Sequence, residues 1–119
     1  GIGEVDTLGT NSNAGSSKPE RAYDLDIRNA MTPTGKILRL NGRDPAELNQ
    51  LPIGSIVMSH TIHDDGDSRK ASSELYKKVA DVTDIMTPAF QYIKFLDVSP
   101  YAKGPEVAAA FSQQARALI

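Results

Sequence analysis

Cysteine and tryptophan are absent from this chain, and only three phenylalanines stand among its 119 residues. Without cysteine there is no disulfide framework and no thiolate chemistry, which suits a cytosolic or virion protein. No apolar run approaches the roughly 18 residues that a membrane-spanning helix needs. The opening Gly1-Ile2-Gly3 lacks the charged-then-apolar pattern of a secretion signal, so export is not expected. Charge of one sign is not in excess either. A formal net charge of −2 argues against a strongly basic nucleic-acid binder. Residues 1–26 nevertheless hold five acids and two bases, which leaves residues 27–119 near +1 and allows a local basic patch. With 39% hydrophobic residues, a single domain of this length has a lean core. Such a core points to burial against a second copy or another partner, unless the domain is a small monomer.

What is present divides the chain in two. Residues 1–20, "GIGEVDTLGTNSNAGSSKPE", cannot bury enough apolar area to offset ordering entropy and read as a flexible arm. Residues 21–119 read as a single α+β domain. In "RAYDLDIRN" Tyr23, Leu25 and Ile27 alternate with Asp24, Asp26 and Arg28, the period of a half-buried strand. Pro33 and Gly35 make a turn, and "KILRLN" returns as the second strand of a hairpin. Asp44 then caps one short helical turn that has Pro45 at its first position. Pro52 and Gly54 end it. "SIVMSHTIH" alternates again, with Ile56, Met58, His60 and Ile62 on one face. "DDGDSRKA" reads as a turn, and "SSELYKKVADV" as the returning strand. A third extended run, "AFQYIKFLDVSP", puts Phe90, Tyr92, Lys94 and Leu96 on one face, with Ile93 and Phe95 opposite. The tail "GPEVAAAFSQQARALI" is a helix opened by Pro105 and Glu106, with Val107, Phe111, Ala115 and Leu118 on one stripe. That stripe must lie on the sheet or on a neighbour.

Several residues invite chemistry. His60 and His63 with Asp64 would suit a metal on a helix, but on a strand their odd spacing sends the two rings to opposite sides. No metal is expected there. "DDGDS" misses the calcium-loop spacing, because Gly66 is third from Asp64 rather than sixth. No serine sits in a nucleophile elbow and no glycine pattern leads into a helix as a phosphate loop does. Neither catalysis nor a cofactor is expected. The remaining set is basic and aromatic: Arg39, Tyr76, Lys77, Lys78, Tyr92 and Lys94, all on expected strands. A sheet face of this kind holds phosphates and stacks bases. The plainer reading has lysine heads snorkelling from a solvated face while the tyrosines pack.

The order of elements, most plainly in "GKILRLNGRDPAELN", "SRKASSELYKKVADV" and "FQYIKFLDVSPYAKGPEVAAAF", resembles the coat protein of the single-stranded RNA bacteriophages. That resemblance covers roughly residues 22–119 and rests on element order, length and charge placement rather than on a motif. It implies a homodimer whose two sheets join edge to edge, each C-terminal helix packing on the partner's sheet. It further implies a self-assembled icosahedral shell around single-stranded RNA, found in the virion and assembled in the cytoplasm of a bacterial host, with no membrane partner. The RNA-facing residues it implies are Lys77, Lys94, Tyr92, Arg39 and His60. The loop that changes shape between capsomers corresponds to residues 81–89, with Asp84, Thr87 and Pro88. Two features depart from the family: the arm before the first strand is longer, and there is room for one terminal helix where two are common. Other readings are a different phage structural part, such as a decoration or connector subunit, and a small soluble binding or metal module using His60 and His63.

Overall fold

A computed structural model describes residues 19–21, 25–65, 68–84 and 88–119. Among them the elements run β1 (Pro19–Arg21), β2 (Ile27–Met31), β3 (Ile37–Arg39), α1 (Pro45–Leu48), β4 (Ile56–Asp65), β5 (Ser68–Lys78), β6 (Pro88–Phe95) and α2 (Gly104–Arg116). The strands form one antiparallel sheet in the order β1-β6-β5-β4-β2-β3. The α+β class expected from the sequence is the one observed. The arm expected over residues 1–20 lies outside the described residues except for Pro19 and Glu20, which belong to β1.

Local chemistry accounts for most of these elements. The β2–β3 turn closes through Gly35 N–H donating to the Thr32 carbonyl at 2.8 Å, and Gly35 sits at φ +89°, a region that glycine enters without penalty. Asp44 caps α1, its carboxylate accepting from Ala46 N–H at 2.9 Å, with Pro45 at the first helical position as expected. The β4–β5 hairpin is longer than its composition suggests. Its ladder runs from Ile56 opposite Lys77 to Asp65 opposite Ser68, so Asp64, Asp65 and residues 68–71 are strand rather than turn. A continuous backbone ladder outweighs the weak strand propensity of those polar residues.

Both faces of the sheet are covered. On one, Val107, Phe111 and Ala115 of α2 pack with Met31, Ile56, Met58, Leu75 and Leu96, and Leu118 joins at the rim. Burial of Val107 and Phe111 contributes about 1.5–3 kcal/mol each, which a helix this short needs in order to persist. The stripe on α2 is therefore met by the chain's own sheet, and no partner is required to bury it. On the other face, Ile27, Ala30, Val57, Tyr76 and Phe90 pack with Leu48, Leu51 and Val82 from the segments that cross over them.

Three register shifts interrupt the ladders among the described residues; one lies where β1 meets β6, at Glu20/Arg21, and the other two set which side chains reach which face. Of these two, one lies in β2, where Ile27 is opposite Ser59 but Asn29 is opposite Met58, leaving Arg28 as the extra residue. The other lies in β6, where Tyr92 is opposite Tyr76 but Lys94 is opposite Leu75, leaving Ile93 extra. The expected alternation of the last strand fails beyond that point. Leu96 joins the helix-side core while Phe90 joins the opposite one, and the Phe95 ring stands edge-on to Tyr92 at 5.6 Å.

The segment after β5 is pinned by Asn49. Its amide donates to the Val82 carbonyl at 2.5 Å and accepts from Val82 N–H at 2.6 Å, a side-chain copy of a strand pair. Asn49→Ala is expected to cost about 1–2 kcal/mol, since two partly buried backbone groups lose their partner. Asn49→Asp, which keeps only the acceptor, should lose roughly half of that. Urea unfolding of the three proteins measures both.

Candidate functional site

The β2 bulge opens a cleft. Because Arg28 is the extra residue, Arg28 and its neighbour Asn29 both line a depression of about 690 Å³ between β2, β3, β4 and the first turn of α2. Arg39 lines it from β3, opposite Asn29, and Met58 and His60 line it from β4. Pro105, Val107 and Ala108 form the helix wall. The cleft thus has a polar rim and an apolar floor, the composition of small-molecule sites.

Its polar groups differ in how far they are already engaged. The Arg28 guanidinium is engaged by Asp26 through contacts of 3.2 and 3.5 Å. Arg39 is exposed and has no hydrogen-bond or ion-pair partner among the described residues. His60 is half-buried, and its Nδ1 lies 2.6 Å from the hydroxyl of Ser73, the residue directly across the ladder. That bond orients the ring and leaves Nε2 without a partner among the described residues. A smaller depression of about 160 Å³ lies on the far side of His60 and shares His60, Ala102 and Val107 with the larger one.

Of the residues expected to face RNA, Arg39, His60, Lys77 and Lys94 lie on the helix-side face, and Tyr92 lies on the other. Arg39 and His60 meet in the cleft. Lys77 lies on the helix-side face opposite Ile56 and Gln91, and does not line the cleft. Lys94 is half-buried opposite Leu75, just after the bulge. Tyr92 is on the other face, edge-on to Tyr76 at 5.5 Å and packed against the core there. Burial raises the Tyr92 hydroxyl pKa, and the negative charge of Glu74 adds to the effect. Neither protein-family models nor characterised proteins nor solved structures match this chain. The site is therefore read from its own geometry.

Further expectations need correction. Lys78, grouped with Lys77 as part of a basic face, is fully buried, and its ammonium donates to backbone carbonyls instead. Pro88, expected within the variable loop, is the first residue of β6 opposite Arg21, a place where a strand tolerates proline. Asp84 is exposed, and Thr87 lies outside the described residues. His60 stands on a strand, so it shares no helix face with His63, whose side chain lies outside what is described. Sequence reading missed Asn29 as a cleft residue because simple alternation turns it away from Arg28. Only the bulge brings both to one side. No helix of the described residues is long and apolar enough to cross a membrane.

Proposed function

We propose that this chain is the structural coat subunit of a single-stranded RNA phage, a protein that pairs with itself, builds a closed shell and encloses RNA. It performs no catalysis. Its place is the virion, after assembly in a bacterial cytoplasm. Dimers form when two sheets meet at an edge, and the residues around Asp84 then contact neighbouring dimers.

The observation that carries this reading is the distribution of exposed apolar side chains. A dimer needs one sticky surface, whereas a shell needs several on each subunit. Ile53 and Val79 are exposed where Gly54 N–H bonds the Lys78 carbonyl. Ile37 and Ile119 are exposed near the β2–β3 turn, where Gly35 approaches the Ile119 side chain. Phe95 and Tyr101, 59% and 75% exposed, flank the loop that leads into α2. Three apolar places among the described residues of so small a domain suit a subunit with several neighbours.

The purified protein is expected to sediment as megadalton particles carrying nuclease-protected RNA. A stable monomer would refute the proposal. Rings or shells without RNA would favour a decoration or connector subunit instead. Reversing charge at Lys77 and Lys94 together should lower packaged RNA more than it lowers dimer formation, because phosphate neutralisation supplies most sequence-independent affinity. Unchanged RNA content would remove both lysines from the RNA-facing set.

A further inference from the structure

We propose that the cleft between β2, β3, β4 and the start of α2 is a nucleotide site, in which Arg39 holds the phosphate and the apolar wall takes the base. The site belongs to the single chain and does not depend on the coat reading: a protein that forms no particles would still possess it.

Four observations on this one cleft converge. Its volume of about 690 Å³ accommodates a ligand of nucleotide size. Of its two arginines, Arg28 is already paired with Asp26, whereas Arg39 has no partner among the described residues and presents its guanidinium fork to solvent. Such a fork matches phosphate oxygens in a bidentate manner. The helix wall of Pro105, Val107 and Ala108, with Met58 on the sheet, is apolar and offers a heterocycle a surface that leaves water outside. Between the two stand Asn29 and His60. An amide that both donates and accepts, beside a ring nitrogen left open by the Ser73 contact, can read the polar edge of a base or the hydroxyls of a ribose.

A bare anion would use Arg39 and ignore the wall. A purely apolar ligand would leave Arg39 and Asn29 unused. A phosphate joined to a heterocycle uses both sides, and it can come from a free nucleotide or from one unit of an RNA strand. The Arg28–Asp26 pair at the rim adds no net charge, so Arg39 alone meets the phosphate, which suits a monophosphate or a phosphodiester.

The test is titration of the full chain with adenosine monophosphate, a short oligouridylate and inorganic phosphate, followed by calorimetry or by amide shifts of residues 26–29, 104 and 106–108. Two variants are compared. Arg39→Ala removes the exposed cation. Ala108→Trp fills the cleft from an exposed helix position without entering the core. Circular dichroism confirms that both keep the fold. Binding of the monophosphate, weakened about tenfold or more by each variant, supports the proposal with a free nucleotide as the source. Binding of the oligomer alone, weakened likewise, supports it with an RNA strand as the source. Inorganic phosphate binding as tightly as the nucleotides would overturn it, as would absence of binding or binding that neither variant disturbs.

Discussion

Lys78→Ala is expected to lower the unfolding free energy by about 3–4 kcal/mol, read as a fall in the urea midpoint at an unchanged slope. The reason is the way its ammonium is housed. Lys78 is 0% exposed, and Nζ lies 3.1 Å from the Leu48 carbonyl, 2.6 Å from the Leu51 carbonyl and 2.8 Å from the Asp81 carboxylate. An ammonium has three protons, and each finds an acceptor. Two of those acceptors are the carbonyls at and beyond the end of α1, which carry the negative end of the local peptide dipoles. One side chain of β5 thereby ties the crossing segment that roofs one face of the sheet. Removing it strands the Leu51 carbonyl, leaves the Leu48 carbonyl with only its 3.2 Å bond from Leu51 N–H, and opens a cavity the length of a lysine stem. Asp81 matters less, because its side chain is 66% exposed and solvent screens the pair. Asp81→Asn should accordingly cost under about 1 kcal/mol, and Lys78→Met, which keeps the stem but not the bonds, about 2 kcal/mol. If Asp81→Asn proved as damaging as Lys78→Ala, the ion pair rather than the carbonyls would be holding the roof.

Gly42→Ala should be at least as harmful, at about 3 kcal/mol or more, or a chain that fails to accumulate as folded protein. A Cβ at position 42 would stand 1.9 Å from the Ile27 carbonyl oxygen and 2.7 Å from the Ile27 nitrogen. These are backbone atoms of a paired strand, so no rotamer change relieves the clash. Either residues 41–43 lift away or β2 shifts, and a shift in β2 moves Ile27, which is fully buried in the core under that segment. The contrast is Gly104, where an added Cβ meets nothing within 4 Å. Gly104→Ala should leave the thermal midpoint within about 2 °C of the parent, while Gly42→Ala lowers it by roughly 10 °C or more. Equal midpoints for the two variants would show that β2 and the 41–43 segment do not approach as closely as described.

Much of the fold was legible locally. The Asp44-Pro45 cap, the turn at Gly35 and the α2 stripe of Val107, Phe111 and Ala115 are set by residues within a few positions of each other, and all three stand as read. The alternation of Ile56, Val57 and Met58 likewise assigned each to its core. Less of the candidate site could be read. Arg39 and His60 stand together in the RNA-facing set that the resemblance implies, but nothing in their own neighbourhoods says that they meet in a cleft. They lie in strands on either side of β2 and come together only because β2 pairs with both.

The letters alone placed the two helices and the centres of the long strands, because side-chain period, caps and glycine turns act over a few residues, but not β1 or the outer end of the β4–β5 hairpin. The tertiary structure decided the parity of side chains beyond each bulge, since a bulge arises from the register of a partner strand and not from the strand's own pattern. It also decided which lysine is solvated. Lys77 and Lys78 are adjacent and chemically identical, yet Lys78 is buried because carbonyls from Leu48 and Leu51, some thirty positions away, gather around it. Desolvating a charge is tolerated only where enough acceptors converge, and that convergence is a property of the assembled fold.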